Sequence, residues 1–342
     1  MTGRSVLYKI VVLFLGCART LFPQQYPDTK VDRLLKIGIE SIVDQNYPDA
    51  EQKFKQLDES YPELPFGNIY LAAVRIASSV DLGEPYDESY ILSHFEKAEK
   101  QSEVLLDKNE KDVWGQYCMA LTKGYTAYYR ALNRDYISAF SNGLSSISHF
   151  EKCLQIDSSF YESYIAIGTY KYWKSAKTSF LTWLPFIKDD KQSGLDYLRS
   201  VMDKSTYNRH LGYNSLIWVY INEKKYQAAL SECEKALKRN PESRFFKWAE
   251  ARVLQDIDKR RAIDVYKNLL ESYTGIKDNN HYNEIVLKHK IAMLYYDLGE
   301  NKKALKLCSE ILAVNPMNEY VKERLDNRID RVKKLKKELQ LL

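Results

Sequence analysis

The sequence predicts an all-α protein built from repeated pairs of helices, and three observations favour this fold class. Only 13 Gly and 9 Pro occur among 342 residues, so long stretches are free of residues that break helices. Alanines recur at fixed distances from other residues, which is typical of a structural repeat. Residues 318–342 follow one amphipathic helical pattern, as the last helix of a stacked array should.

Four segments share the spacing of the repeat: YPDAEQKF, YQAALSEC, DKRRAIDVY and NKKALKLC. Each contains a marker alanine, namely Ala50, Ala229, Ala262 or Ala304. Thirteen residues before the markers stand Ile37, Leu216, Ala249 and Ile291. Twelve residues after three of the markers stand Pro62, Pro241 and Pro316. A marker alanine lets two helices pack closely, and the proline ends the second helix, so each segment belongs to a helix hairpin.

This spacing resembles the tetratricopeptide repeat, a helix–turn–helix unit of about 34 residues. In that family the first helix, A, reads W-x-x-L-G-x-x-Y, and the second, B, reads A-x-x-x-F before a closing proline. The matching residues include Leu34, Gly38, Phe54, Tyr213, Tyr220, Ala236, Ala292, Tyr295 and Gly299. The resemblance implies a right-handed superhelical solenoid, in which the A helices line a concave groove that binds a partner.

About seven hairpins and a C-terminal capping helix account for most of the chain. We expect the hairpins at 31–63, 66–107, 110–157, 160–203, 206–241, 243–273 and 284–316, with a polar loop at 274–284. The final helix carries one apolar stripe, formed by Val321, Leu325, Ile329, Val332, Leu335 and Leu339. We therefore divide the chain into a signal at 1–23, a repeat domain at 24–317 and a basic capping helix at 318–342.

The fourth hairpin carries an aromatic insertion at 174–189, between its two helices. The insertion contains the run SFLTWLPF, with Phe180, Trp183 and Phe186. The second helix is expected only after it, in DDKQSGLDYLRSVM. Three roles fit this composition: a flap over the middle hairpins, a loop that contacts a partner, or contact with a membrane surface. We expect the flap, because so many apolar groups exposed together would favour aggregation.

Residues 1–23 have the pattern of an export signal. Two basic residues precede the apolar run IVVLFLG, and small residues follow it. We expect cleavage between Ala18 and Gln24, and an exported protein in the periplasm or cell envelope. A lipoprotein signal is an alternative, because LFLGC places Cys17 where a lipid would be attached as a membrane tether. A frayed N-terminal helix is the remaining interpretation.

Residue types of known catalytic and metal sites do not cluster in the sequence. The five His lack metal-binding spacing, no nucleophile or phosphate-binding motif is present, and no C-x-x-C pair occurs. We therefore expect no enzyme activity, no cofactor and no metal. The four Cys after Cys17 lie in helical patterns, where small buried apolar residues are common. A Cys118–Cys153 disulfide stays open as an alternative for an exported protein.

The charge balance argues against nucleic-acid binding. Of the formal net charge of +5, residues 1–23 carry +3 and residues 321–342 carry +4, which leaves −2 on residues 24–320. Nucleic-acid-binding domains carry a surplus of positive charge instead. We expect a protein or peptide as the partner, and a monomeric chain.

The resemblance also implies which side chains face the groove: Thr169, Tyr172, Trp173, Asn214, Trp218, Asn222, His289, Met293 and Tyr296. Asn can hold a bound backbone with a donor and an acceptor, while Tyr and Trp offer apolar area with a polar tip. The alternative is that some of these aromatic residues pack between hairpins. The Lys/Asn/Arg set of chaperone-binding members is absent, so we do not expect a chaperone-tail adaptor.

These patterns favour a non-catalytic scaffold that binds a partner protein or peptide in the groove. The alternative from another class is a structural or envelope-assembly lipoprotein tethered to a membrane through Cys17. A hydrolase that uses an unrecognised carboxylate pair is a third hypothesis, and no motif supports it.

Overall fold

The computed structural model describes residues 24–178, 190–277, 279–315 and 317–341. All regular secondary structure in these ranges is α-helical, as predicted. The helices are α1 (Thr29–Val43), α2 (Tyr47–Ser60), α3 (Phe66–Leu82), α4 (Glu88–Lys108), α5 (Val113–Leu132), α6 (Tyr136–Ile156), α7 (Tyr161–Thr178), α8 (Lys191–Val201), α9 (Arg209–Asn222), α10 (Tyr226–Arg239), α11 (Arg244–Ile257), α12 (Lys259–Thr274), α13 (Tyr282–Asp297), α14 (Asn301–Leu312) and α15 (Glu319–Leu339).

Consecutive helices pair into seven hairpins, from α1–α2 to α13–α14, and α15 follows alone. The hairpins are numbered one to seven, and the first helix of each is its A helix. Packing runs mainly from each helix to the next one in the chain, which is the arrangement of a solenoid. The structure thus confirms the repeat solenoid and its final helix.

Acidic caps explain where several helices begin. The Asp28 carboxylate accepts hydrogen bonds from the backbone N–H groups of Lys30 and Val31, at 2.8 and 3.1 Å. Asp87 and Asp135 cap α4 and α6 in the same way. A carboxylate at this position satisfies free N–H groups and complements the helix dipole.

The marker alanines sit where helices pack most closely. All four are 0% exposed: Ala50, Ala229, Ala262 and Ala304. In hairpin one, a Cβ on Gly38 would lie 2.5 Å from the Phe54 ring, so α1 and α2 approach as closely as the spacing predicts.

Hairpin four forms around the expected insertion. Its A helix continues to Thr178, so residues 174–178 are helical rather than part of a loop. The delayed second helix is α8, close to where the sequence places it. A Cβ on Gly194 would lie 2.6 Å from the carbonyl oxygen of Gly168, so the two backbones touch at these glycines.

The last helix covers the end of the array, as predicted. The stripe of α15 packs on α13 and α14 and is buried at Val321, Leu325, Val332, Leu335 and Leu339. Most of its basic residues lie on the remaining faces and are exposed to solvent, while Arg328 and Lys336 are half-buried. A helix with one apolar face and one polar face suits a terminal cap, because it covers the apolar surface that the last hairpin would otherwise expose to solvent.

Hairpin one contacts the start of hairpin six, 200 residues further along the chain. The side-chain amide of Asn240 donates to the carboxylates of Glu40 and Asp44, at 2.8 and 2.9 Å. The Ser243 hydroxyl donates to the backbone carbonyl of Val43 at 2.7 Å. The solenoid therefore closes on itself at its first turn.

Hairpin two extends this closure toward the C-terminus. Asp81 forms an ion pair with Arg244 and accepts a hydrogen bond from the Tyr273 hydroxyl at 2.7 Å. The backbone carbonyl of Asp81 also accepts from the Asn283 amide at 2.7 Å. The sequence predicts the loop after Thr274 only as a connection. In the structure this loop leads to Asn283, which links hairpin seven to hairpin two.

Aromatic side chains fill the space between hairpins one to four. Tyr26 packs edge-on against Phe66 and Trp114, with ring centroids 5.4 and 5.0 Å apart. Phe160 packs against Trp114 and Tyr117 at 4.9 and 5.3 Å. Edge-to-face pairs at these distances add stability beyond the burial of area.

A buried carboxylate holds the segment between hairpins four and five. Glu162 is 0% exposed and accepts hydrogen bonds from the Ser205 hydroxyl at 3.0 Å and from the backbone N–H groups of Tyr207 and Asn208 at 3.1 and 2.9 Å. Burial raises the pKa of Glu162, and these hydrogen bonds oppose the rise. The linker into α9 is fixed by this side chain.

Candidate interaction surface

The A helix of hairpin five exposes a predicted groove residue, Trp218. This side chain is 40% exposed, and its indole N–H donates to the Asn214 amide oxygen at 3.1 Å. Asn222 lies one turn further on, is exposed, and donates to the Tyr172 hydroxyl at 2.9 Å. The helix therefore presents an indole flanked by two amides whose polar atoms are only partly used.

The predicted groove residues on α7 mainly pack inside the array. Tyr172 is 1% exposed and belongs to the core, so it offers no surface to a partner. Thr169 is half-buried and hydrogen-bonds the Ser215 hydroxyl of α9 at 2.8 Å. Trp173 is half-buried and packs edge-on against Tyr172, with ring centroids 5.3 Å apart. Thr169 and Tyr172 contact α9 of the next hairpin, whereas Trp173 packs against Tyr172 on its own helix.

The residues on α13 divide in the same way. His289 is 7% exposed, and its Nδ1 lies 2.9 Å from an Arg328 guanidinium nitrogen. Burial, followed by the charge of Arg328, lowers the pKa of His289 to about 4, so the ring is neutral at pH 7. Tyr296 hydrogen-bonds Glu338 of the capping helix. Met293 stays 40% exposed.

Trp218 and Met293 hold equivalent places in two hairpins. Each lies eleven residues before a marker alanine, Ala229 or Ala304. Both are large apolar side chains, and both are 40% exposed. Two A helices thus expose apolar area at the same position of the repeat.

Four predicted residues lie outside the described part of the chain: Cys17, Phe180, Trp183 and Phe186. The cysteines of the described helices, Cys118, Cys153, Cys233 and Cys308, are buried and unpaired, which matches their prediction as core residues and shows no Cys118–Cys153 disulfide. Among the described residues, no three His, Cys, Asp or Glu side chains are placed to hold a metal ion. No described helix is long and apolar enough to cross a membrane.

A cavity of about 460 Å³ lies between hairpin one and the linkers on either side of hairpin five. On α1 its wall includes Lys36, Ile37 and Glu40, and the opposite wall includes Arg209 and Arg239. The cavity is open to solvent and exists because the solenoid closes on itself. Sequence reasoning missed it, because residues so far apart share no spacing; the one available signal was an arginine at each end of hairpin five.

The family comparison bears on hairpin five. A family model described as the tetratricopeptide repeat matches residues 213–243, which cover most of α9 and all of α10. Residues 213–243 thus match one tetratricopeptide repeat. This repeat, TPR for short, includes Asn214, Trp218 and Asn222. No curated protein matches the chain.

Solved structures of TPR proteins are similar to this chain at low sequence identity. A thermophilic TPR protein of Thermus thermophilus is 14% identical, over 66% of this chain and 99% of that chain, with a TM-score of 0.40. The C-terminal part of a TPR repeat-containing protein from Cytophaga hutchinsonii is 19% identical, over 86% and 97%, with a TM-score of 0.41. The human IFIT1 dimer with PPP-AAAA is 14% identical, over 92% and 78%, with a TM-score of 0.47.

Proposed function

We propose that this chain is a non-catalytic scaffold, which binds a partner protein or peptide on the face formed by its A helices. The observation that carries the proposal is the equivalent exposure of Trp218 and Met293 in a chain whose residues 213–243 match a TPR. A large apolar side chain that is exposed at the same repeat position on two helices adds little to folding stability, but a partner can bury it.

The surroundings of Trp218 suit a partner backbone. Asn214 and Asn222 lie one turn before and one turn after it, and each amide offers both a donor and an acceptor. An indole between two amides can bury apolar area while the amides satisfy a peptide group. We propose this part of α9 as the centre of the groove, in place of the buried Tyr172 and His289.

Site-specific photocrosslinking tests the scaffold. A benzophenone amino acid replaces Trp218 in the full-length chain, expressed in the native organism, and the crosslinked product is identified by mass spectrometry. The matched control places the same group at Lys235, which is exposed on the B helix of the same hairpin. We expect one specific partner from position 218 and none from position 235. Equal crosslinking at both positions would contradict the proposal.

We further propose that the chain is exported through residues 1–23 and works as a monomer in the periplasm or cell envelope. The alternative role, a membrane-tethered structural or assembly lipoprotein, needs a lipid on Cys17. N-terminal sequencing of the native protein tests export, which predicts a start between Cys17 and Tyr26. Lipid labelling of the wild type, with Cys17→Ser as its control, separates free scaffold from tethered lipoprotein.

A further inference from the structure

The cavity beside hairpin five is lined by two arginines that form no ion pair with a described residue. Neither Arg209 nor Arg239 has a carboxylate within 4.0 Å among the described residues. Arg209 uses one guanidinium nitrogen, Nε, to donate to the backbone carbonyl of Met202 at 2.8 Å. Most guanidinium donors of both side chains therefore remain available at the cavity wall.

Lys36 and Glu40 are the other charged residues that the structure describes on the cavity wall. Lys36 forms an ion pair with Asp32 at 2.7 Å, and the Glu40 carboxylate accepts from the Asn240 amide at 2.8 Å. The Asn240 amide is neutral, so Glu40 remains a carboxylate without an ion-pair partner on the described cavity wall. Among the described residues, two unpaired arginines against one unpaired glutamate leave the cavity wall with a surplus of positive charge.

The two arginines line the same cavity, and the charge of Arg239 acts on Arg209. The pKa of Arg209 is lowered from its ordinary value, first by burial and then by the positive charge of Arg239, while the charges of Asp203 and Glu162 oppose this shift. Like charges held together destabilise a fold unless an anion lies between them. Arg209 and Arg239 stand at the two ends of hairpin five, where a single anion could contact both guanidinium groups.

A third polar group points to the same ligand chemistry. Thr206 lies on the cavity wall, and its hydroxyl is buried with no hydrogen-bond partner among the described residues. Buried hydroxyl groups usually have a partner. An anion held by the arginines would supply an acceptor on this wall.

The wall formed by α1 favours a ligand that also has an apolar group. Ile37 is 36% exposed, although Leu216 and Ile291, at the same repeat position, are 2% and 1% exposed. Hairpin one therefore leaves open to the cavity a side chain that other hairpins bury. The volume of about 460 Å³ lies within the range of ligand sites.

From this arrangement the geometry points to an acidic peptide segment as the ligand of the cavity, with a carboxylate between Arg209 and Arg239 and a neighbouring apolar side chain on Ile37. Guanidinium groups bind carboxylates in paired, charge-assisted hydrogen bonds. A peptide supplies the anion and the apolar group together, which free phosphate does not. This inference rests on the proposed scaffold function, because it names the chemistry of the partner.

The test uses the full-length chain and a hexapeptide array as the probe. One half of the array has Asp or Glu at two central positions and varied apolar residues around them, and the other half has Asn or Gln there instead. We expect retention on the acidic half alone. Arg209→Gln and Arg239→Gln should each weaken binding of the best acidic peptide by about tenfold or more, measured by calorimetry.

A charge-matched variant is the control. Lys238→Gln removes one positive charge beside Arg239 from an exposed position that does not line the cavity. It should change the affinity by about twofold at most, because Lys238 is outside the cavity and solvent screens its charge from a bound carboxylate. Equal binding of acidic and amide peptides, or equal loss in Arg239→Gln and Lys238→Gln, would overturn the assignment. Binding of inorganic phosphate without any retained peptide would overturn it too.

Thermal unfolding without ligand gives a readout that needs no peptide. Arg239 is exposed and makes no ion pair among the described residues, so Arg239→Gln should unfold at the same temperature as wild type or higher. A clearly lower melting temperature would assign Arg239 a structural role and overturn the binding site. Photocrosslinking at position 218 separates the two proposals: a partner captured there, yet bound equally well by Arg209→Gln and Arg239→Gln, would leave the scaffold standing and the cavity assignment wrong.

Discussion

The helices of hairpins five to seven and those of hairpins two to four pack together through different kinds of side chain. In hairpins five to seven the helices have 12 to 16 residues, and a marker alanine at each crossing is fully buried. In hairpins two to four most helices are longer, up to 21 residues in α4 and α6, and aromatic rings fill the space. Small residues allow close helix crossings in the regular hairpins, whereas aromatic rings fill the space between the middle hairpins.

The middle hairpins also depend on contacts that the regular hairpins lack. Glu162 binds the linker into α9, and Gly168 with Gly194 lets α7 and α8 touch. Neither Glu162 nor Gly194 belongs to the repeat spacing. The difference shows that a repeat pattern can lapse over three hairpins while the array continues, provided that specific contacts replace it.

The largest effect is expected at the glycine contact of hairpin four. In Gly194→Ala the new Cβ would meet two backbone atoms, the Gly168 oxygen at 2.6 Å and the Tyr172 nitrogen at 2.7 Å. Backbone cannot move aside cheaply, so we expect a loss of about 3 kcal/mol in the free energy of unfolding. Gly143→Ala is the matched control, because its Cβ would meet nothing closer than 3.9 Å and should be neutral or stabilising. Similar melting of both variants in urea would contradict the close approach.

The regular half is tested at its marker alanine. Ala229 is 0% exposed, so Ala229→Leu must push helices apart and should cost about 2 kcal/mol by overpacking. Gln227→Leu, at an exposed position of the same helix, should change stability little. An unchanged urea midpoint for Ala229→Leu would show that the register of hairpin five is wrong.

Acid should weaken the C-terminal hairpins through His289. The pKa is lowered to about 4 in the folded chain from an ordinary 6.5, so stability from the neutral ring is complete above pH 6.5 and is lost as pH falls toward 4. We expect this site to account for about 1 to 2 kcal/mol of that loss. The urea midpoint of His289→Gln should therefore fall less steeply over this pH range than that of wild type. If the urea midpoints of the two proteins fell in parallel with pH, His289 would not be the cause of the acid destabilisation.

The smallest effect is expected at an exposed ion pair between hairpins six and seven. Lys259 and Asp297 lie 2.8 Å apart with side chains 39% and 41% exposed. Lys259→Ala should cost about 0.5 kcal/mol or less, because water screens such pairs. A loss of several kcal/mol in thermal unfolding would mean that surface charge, rather than packing, joins these hairpins.

The sequence predicts the local part of this fold and little of its closure. The alanine and proline spacing predicted seven hairpins and a cap, because these contacts join residues a few turns apart. The sequence predicts that the insertion begins at residue 174, but residues 174–178 are the last residues of α7. Helix propensity does not mark where α7 ends. Trp218, Met293, Tyr172 and His289 were all predicted to face the groove. Trp218 and Met293 are exposed, but Tyr172 and His289 are buried by neighbours that no spacing reveals.

Closure of the array was invisible in the sequence for a physical reason. Asp81 and Arg244 are 163 positions apart and belong to no shared pattern, so only the path of the whole solenoid brings them together. The cavity depends on the same path, because α1 forms one wall and hairpin five provides the other.

A double-mutant cycle between Asp81 and Arg244 tests this closure most directly. Their ion pair links hairpin two to hairpin six, and the side chains are only 11% and 16% exposed. Unfolding free energies of wild type, Asp81→Ala, Arg244→Ala and the double variant should give a coupling energy of about 1.5 to 3 kcal/mol. A coupling energy near zero would mean that the two halves of the array do not meet in solution and would contradict the closed solenoid.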